Sequence, residues 1–142
     1  MSATITDNWF ARMRRGEVPR AAVAELLGET ITQVDLEQGL LEARYIAAPS
    51  FLNPAGGVQG GMLGAMLDAL TAGLVDATVA EGEAVATLSL NLAFLRPAAA
   101  GAIDGRAQLV RRGREVCHVS AELLQAGRPV ASATAVCKIV SA

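Results

Sequence analysis

The longest apolar segment of the chain, residues 60–80, constrains the fold more than any other feature. It predicts a helix of about 20 residues, which spans about 30 Å at a rise of ~1.5 Å per residue. Asp68 lies near its centre and Asp76 follows, and each carboxylate would cost about 2.5–3.5 kcal/mol at the middle of a bilayer. The segment is therefore predicted to be a buried helix of a soluble protein, and no membrane association is expected.

Six strands are predicted around this helix. Two precede it as a hairpin, in which Gly39 takes the left-handed turn position. Four follow it as a meander, and the turns between the last three contain Gly113 and Gly127. The predicted strands cover residues 30–36, 40–47, about 84 to Arg96-Pro97, 102–112, 115–125 and 129–140.

The strand before Arg96-Pro97 has a strict period of two. Thr87 is therefore predicted on its polar side. The apolar side is predicted to carry Leu88, Leu90, Leu92 and Phe94, and the polar side Thr87, Ser89 and Asn91.

Only the central helix is long and apolar enough to cover one face of such a sheet, so the predicted architecture is α+β, an antiparallel sheet of about six strands wrapped around one helix. Residues 1–142 are predicted to form one domain. Its short N-terminal helical segment, 1–28, is expected to contain two helices. Asp7 is predicted to cap the first, Pro19 to lie in the first turn of the second, and Gly28 to end it.

Composition excludes several classes of function. The net charge of −2 and an aromatic content of 4% argue against a nucleic-acid partner. Two cysteines and a single histidine cannot supply a usual zinc site, so Cys117 and Cys137 are predicted to be buried, reduced thiols. Residues 1–15 lack the apolar core of a secretory signal. These features together predict a cytoplasmic protein without a metal.

The order of elements and the motifs around the helix resemble the hotdog fold, specifically acyl-CoA thioesterases of the phenylacetate-pathway (PaaI-like) type. The motifs are the loop Asn53-Pro-Ala-Gly-Gly-Val-Gln-Gly-Gly61, the acid Asp68, and Asn91-Leu-Ala-Phe-Leu-Arg-Pro97. One position departs from the family pattern, because Gln59 stands where relatives most often have His. An amide can donate a hydrogen bond to a substrate but cannot carry a proton as imidazole does.

The chemistry of thioester hydrolysis needs a base or nucleophile, and Asp68 is the candidate. A carboxylate among apolar helix neighbours is retained either by a structural partner or for chemistry. At i+4 spacing it belongs to a stripe of small or acidic residues that leaves room for a ligand or for another backbone. The stripe comprises Gly60, Gly64, Asp68, Ala72 and Asp76.

The oxyanion donor is expected at the helix start, where the N–H groups of Gly60 and Gly61 are free of intrahelical partners. Eight residues separate Gly60 from Asp68, which is about 12 Å along a helix. Reacting atoms must approach within about 3–3.5 Å, so one chain cannot supply both groups to one thioester. A two-fold dimer of antiparallel helices can. The predicted partner is therefore a second copy of the chain, with two shared sites. Further assembly as a dimer of dimers is expected, and the choice between dimer and tetramer stays open.

The resemblance implies roles for several other residues. Asn53 is expected to hold the water or the thioester carbonyl, and Thr87 to hold the attacking water or the acid; each has a plain alternative, a turn residue before Pro54 and an ordinary strand threonine. Basic residues at the rim are candidates to bind the CoA phosphates, although surface arginines are most often only solvated. These candidates are Arg96, Arg111, Arg112 and Arg114, and His118 is predicted to be a half-exposed strand residue without a role.

The predicted activity is hydrolysis of an acyl-CoA to a free acid and CoA, with catalytic residues Asp68, Gly60, Asn53, Gln59 and Thr87. No cofactor is expected beyond the coenzyme A of the substrate. Two alternatives remain. One is a non-catalytic hotdog module that binds acyl-CoA or a partner protein, which Gln59 motivates. The other is a dehydratase of hydroxyacyl thioesters, which would need a histidine near the acid.

Overall fold

The computed structural model describes residues 7–142. It contains one six-stranded antiparallel sheet in the order β1-β2-β4-β5-β6-β3 and three α-helices. Residues 1–6, the start of the predicted N-terminal segment, lie outside the described residues. The elements are α1 (Trp9–Arg14), α2 (Ala22–Leu26), β1 (Thr30–Asp35), β2 (Leu40–Ala47), α3 (Gly60–Asp76), β3 (Glu83–Phe94), β4 (Gly101–Arg112), β5 (Val116–Gln125) and β6 (Arg128–Ser141).

Helix α3 lies across one face of the sheet and contacts β2 to β6. Its 17 residues span about 25 Å, slightly less than predicted. Leu67 and Leu70 have no exposed surface, and a Cβ atom at Gly105 of β4 would lie 2.6 Å from Leu70 Cδ1. Glycine at that position therefore lets the sheet close around the helix. The predicted architecture, a sheet wrapped around one buried helix, is confirmed. No helix within residues 7–142 meets the length and hydropathy needed to span a membrane.

Strand β3 contains a β-bulge at Leu88. Thr87 pairs with Cys137 and Ser89 pairs with Val136, so Leu88 has no partner in β6. The additional residue shifts the alternation of side chains by one position. Thr87 consequently shares the helix-facing side of the sheet with the buried Cys137. The prediction that Thr87 points to the polar side of its strand is wrong, because a strict period of two does not hold across the bulge.

After the bulge, β3 packs against the glycines of α3. A Cβ atom at Gly64 would lie 2.8 Å from Leu92 Cδ1, and one at Gly60 would lie 3.1 Å from Phe94 Cζ. These two members of the small-residue stripe therefore serve close packing between the helix and β3. The strand is also an edge of the sheet, and Leu88 and Phe94 remain 58% and 54% exposed.

The N-terminal helices cover part of α3. Asn8, not the predicted Asp7, caps α1: its Oδ1 accepts from Ala11 N–H at 2.9 Å, while its Nδ2 donates to the carbonyl of Val79 at 2.8 Å. Asp7 instead pairs with Arg15. Pro19 precedes α2, which begins only at Ala22, because Ala21 keeps an extended ψ of 142°. A buried amide that joins α1 to the chain after α3 has no signature in local sequence.

Candidate active site

Asp68 lies in the middle of α3 and is half-buried. Thr87 Oγ1 donates a hydrogen bond to Asp68 Oδ1 at 2.9 Å. The bulge at Leu88 turns the hydroxyl towards the helix, so this contact depends on the irregularity of β3. The predicted association of Thr87 with the acid is therefore present in the structure, although the predicted direction of its side chain is not. The bond fixes one carboxylate oxygen and leaves the other available to a ligand.

The start of α3 presents two free backbone donors. The N–H groups of Met62 and Leu63 bond to the carbonyl of Gln59 at 2.9 and 3.2 Å. Within residues 7–142, the N–H groups of Gly60 and Gly61 have no acceptor. Such donors at the positive end of a helix suit an oxygen that gains negative charge. Gln59 precedes them with an exposed side chain that forms no capping hydrogen bond.

Asn53 organises the loop before α3. Its Oδ1 accepts from Ala55 N–H at 3.0 Å and from Gly57 N–H at 3.1 Å, so the carbonyl half of the amide holds the turn. The turn alternative is therefore observed, while the predicted contact of Asn53 with the substrate stays a prediction that would use its amide NH₂ group. Asn53, Gly60 and Arg96 line one open cavity of about 550 Å³.

The predicted phosphate-binding arginines are dispersed. Arg96 is exposed and donates to the carbonyl of Pro129 at 2.8 Å. Arg111 is exposed on β4 opposite His118. Arg112 donates to Thr78 Oγ1 at 3.0 Å, and therefore lies beyond the C-terminus of α3. Within one chain, only Arg96 lies near Gly60.

The candidate residues therefore form two separate clusters in one chain. One is the Asp68–Thr87 pair, and the other is the helix start with Asn53, Gln59 and Gly60. They are separated by about 12 Å along α3.

The second acid of the stripe, Asp76, lies on the same face of α3, about 12 Å from Asp68 along the helix. Burial raises the pKa of the Asp76 carboxyl to about 6, and no side-chain partner for it exists among residues 7–142. Asp76 and Asp68 line the same cavity, about 260 Å³ in volume, beneath α1 and α2. The i+4 spacing places both acids on one face of the helix, but the cover over that face comes from segments distant in sequence.

The two cysteines are free and fully buried, as predicted. They are register partners on β5 and β6, and burial raises the pKa of both thiols. His118 is exposed on β5. Within residues 7–142, no group of three or more metal-ligating side chains comes together.

Comparison with known proteins places this arrangement in a class. The sequence profile of the acyl-CoA thioesterase N-terminal domain matches residues 49–138. The phenylacetic acid degradation-related protein of Ralstonia eutropha JMP134 is 60% identical, with a TM-score of 0.91 over 92% of this chain and 99% of that chain. No curated protein sequence gives a significant match.

Two more distant structures share the fold. The E. coli PaaI protein, from the phenylacetic acid degradation operon, is 22% identical with a TM-score of 0.81 and covers 93% of this chain and 94% of its own. A hypothetical thioesterase from Streptococcus pneumoniae TIGR4, solved with coenzyme A, is 22% identical with a TM-score of 0.71 over 80% and 86% of the two chains.

The fold and the family match define a thioesterase of the hotdog class. The chain belongs to the acyl-CoA thioesterase family. The predicted hotdog fold, the resemblance to PaaI-like proteins and the prediction of a thioester hydrolase are therefore confirmed.

Proposed function

We propose that the protein hydrolyses acyl-CoA thioesters at sites shared between two copies of the chain. One observation carries the proposal: Thr87 orients the Asp68 carboxylate on α3, and the free N–H groups of Gly60 and Gly61 lie about 12 Å away along the same helix. The carboxylate is the base or nucleophile, and the N–H pair is the oxyanion donor. The reaction requires no metal or redox cofactor.

The Asp68 carboxylate acts in one of two ways. As a general base it accepts a proton from water while the water oxygen bonds to the thioester carbon. As a nucleophile it bonds to that carbon directly, and water then hydrolyses the anhydride. In both routes the tetrahedral oxyanion accepts hydrogen bonds from the partner's Gly60, the C–S bond breaks, and the CoA thiolate takes up a proton.

Two surfaces of the chain support the dimer. Strand β3 leaves an edge with Leu88 and Phe94 exposed, and such an edge favours pairing with another strand. The first turn of α3 is the other surface, with Gly61 exposed and Met62 half-buried, whereas α1 and α2 cover the face from Ala65 to Asp76. Apolar surface left open at the helix start gains by burial against a second copy.

The remaining predicted residues are assigned to parts of the substrate in this dimer. Arg112 contacts Thr78 just beyond the C-terminus of α3, and Arg111 is exposed on β4 opposite His118. We assign these arginines and Arg96 to the CoA phosphates, and Asn53, Gln59 and Gly61 to the thioester. A dimer of dimers remains part of the proposal. A cytoplasmic location is also proposed, supported by the two free cysteines.

The decisive experiment measures thiol release from a panel of acyl-CoA thioesters with the wild type and Asp68→Asn. Removing the carboxylate is expected to lower kcat by about 10²- to 10⁴-fold while the variant stays folded and still binds CoA. Equal turnover by both proteins would contradict the role of Asp68. Binding without turnover in both would favour the non-catalytic module that Gln59 motivates.

A further inference from the structure

The cavity beneath the N-terminal helices is the feature that the proposed mechanism does not use. Asp68 lies on its wall, and Asp76 lies eight residues further along α3. Helices α1 and α2 cover it, and β1 and β2 close its side. Its apolar lining consists of Trp9, Phe10, Met13, Ala21, Val23, Ala24, Ile31, Leu41, Ala65, Ala69, Ala72 and Gly73.

Small residues of α3 create the space. Ala65, Ala69, Ala72 and Gly73 line the helix side of the cavity. A Cβ atom at Gly73 would meet only Leu41 Cδ1, at 4.0 Å, so this position opens into free volume. Larger side chains here would fill the cavity.

The polar groups at the cavity wall are mostly satisfied within the chain. Tyr45 donates to Glu29 Oε2 at 2.8 Å, and Arg20 donates to the backbone carbonyl of Glu29. Asp76 is the exception. It has no side-chain partner among residues 7–142, and burial disfavours its charged form. An anionic group would meet three carboxyls in this cavity, those of Glu29, Asp68 and Asp76, and one guanidinium, Arg20, which already pairs with Glu25. An apolar chain would meet alkyl and aromatic surface.

The spacing of the two acids along the cavity wall sets the size of an occupant that spans them. From Asp68 to Asp76 the helix advances about 12 Å. An extended chain advances about 3.3–3.6 Å for every three bonds, so roughly ten bonds cover that distance. An acyl group of about eight to ten carbons would run from a carbonyl beside Asp68 to the neighbourhood of Asp76.

We propose that this cavity binds the acyl group of the substrate, that the preferred acyl groups are apolar chains of about eight to ten carbons, and that Gly73 determines the accepted length. The inference rests on the proposed function, since it places the thioester carbon beside Asp68. The N-terminal helices therefore form one wall of the acyl site, and α3 forms the other.

The test compares Gly73→Leu with Gly73→Ala on CoA esters from butanoyl to dodecanoyl. The alanine variant adds one methyl group in open space and removes a helix glycine, so it controls for the loss of glycine itself. We expect Gly73→Leu to lower kcat/KM for decanoyl-CoA about 100-fold relative to butanoyl-CoA, since the leucine side chain would displace about three methylene groups and each buried methylene contributes roughly fourfold. Gly73→Ala, which adds a single methyl group, should shift the profile by no more than about fourfold. Identical chain-length profiles for the wild type and Gly73→Leu would overturn the proposal.

A binding measurement separates this inference from the proposed activity. Trp9, the only tryptophan of the chain, lines the cavity, so decanoyl-CoA should change its fluorescence in the Asp68→Asn background, and free CoA should not. The wild type could show no hydrolysis while Trp9 fluorescence still responds to decanoyl-CoA and Gly73→Leu abolishes that response. This result would contradict the proposed activity and support the acyl site. If hydrolysis occurs but neither Trp9 nor the chain-length profile responds to Gly73→Leu, the acyl site fails and the activity stands.

Discussion

Thr87 has one polar contact that matters for the proposed chemistry, its hydrogen bond to Asp68. Since Thr87 acts through Asp68, it is a positioning residue. Thr87→Val preserves the shape of the side chain and removes the donor. Loss of a hydrogen bond to a charged group corresponds to about a tenfold to hundredfold effect, which should fall on kcat with KM unchanged.

Thr87→Ser is the matched control, because it keeps the hydroxyl and loses only a methyl group. Steady-state kinetics on one acyl-CoA should therefore show near wild-type kcat for Ser and reduced kcat for Val. Equal losses in both variants, or a change confined to KM, would assign Thr87 to packing instead.

At the scale of the element, Asp76 makes the stability of α3 dependent on pH. Burial raises its pKa from the model-peptide value of 3.8 to about 6, so the folded state holds this proton over a range in which the unfolded state has lost it. The contribution of protonated Asp76 to the free energy of unfolding is fully present below about pH 3.8 and is lost as pH rises through 6. Asp76→Asn removes this penalty and should stabilise the protein by about 2–3 kcal/mol at pH 8.

Urea unfolding of wild type and Asp76→Asn at pH 4, 6 and 8 tests this dependence. The difference should be largest at pH 8 and small at pH 4. Glu37→Gln, in the exposed turn between β1 and β2, removes a negative charge without removing a buried carboxyl and should show no such trend. A constant difference at all three pH values would mean that Asp76 is not desolvated.

The elements themselves were largely predictable, because apolar periodicity and turn glycines are local signals. Gly39 adopts φ +63° where the hairpin requires it, and the helix begins at Gly60 as predicted. The predictions are wrong where tertiary contacts determine the local structure. Asn8 caps α1 because its amide also bonds to the carbonyl of Val79, and the bulge at Leu88 appears only through pairing with β6.

At the scale of the whole molecule, the proposed site follows from the sequence only in part. The family motifs point to Asp68, Gly60 and Asn53, and the separation along α3 is the reason for proposing a second chain. The acyl cavity was not predictable, since Trp9, Val23 and Leu41 reach it from three separate segments. The spacing of these residues in the sequence does not indicate that they share a surface.

The shared site leads to a prediction about hybrid dimers. Asp68→Ala and Gly60→Pro should each be inactive alone, because each lacks one half of every site. A hybrid of the two retains one intact site, formed by Gly60 of the first chain and Asp68 of the second, and should regain about half of the wild-type activity per dimer. Differently tagged chains allow hybrids to be purified and assayed for thiol release.

Gly60→Ala is the control for the proline variant. Both place a Cβ atom near the Phe94 ring, but only alanine keeps the N–H group. Activity in Gly60→Ala, together with none in a verified hybrid, would show that the two groups do not serve a common thioester.

The bulge at Leu88 also determines how β3 responds to changes in length. Side-chain alternation restarts there, so residues 83–87 and 89–94 obey separate phases, and substitutions in one half are not constrained by the phase of the other. Removing one residue at this point would bring the halves into a single phase. Deleting Leu88 would make Thr87 and Ser89 consecutive while each kept its partner, Cys137 and Val136, so Thr87 would still face Asp68. The bulge could therefore be lost by deletion without separating the hydroxyl from the carboxylate.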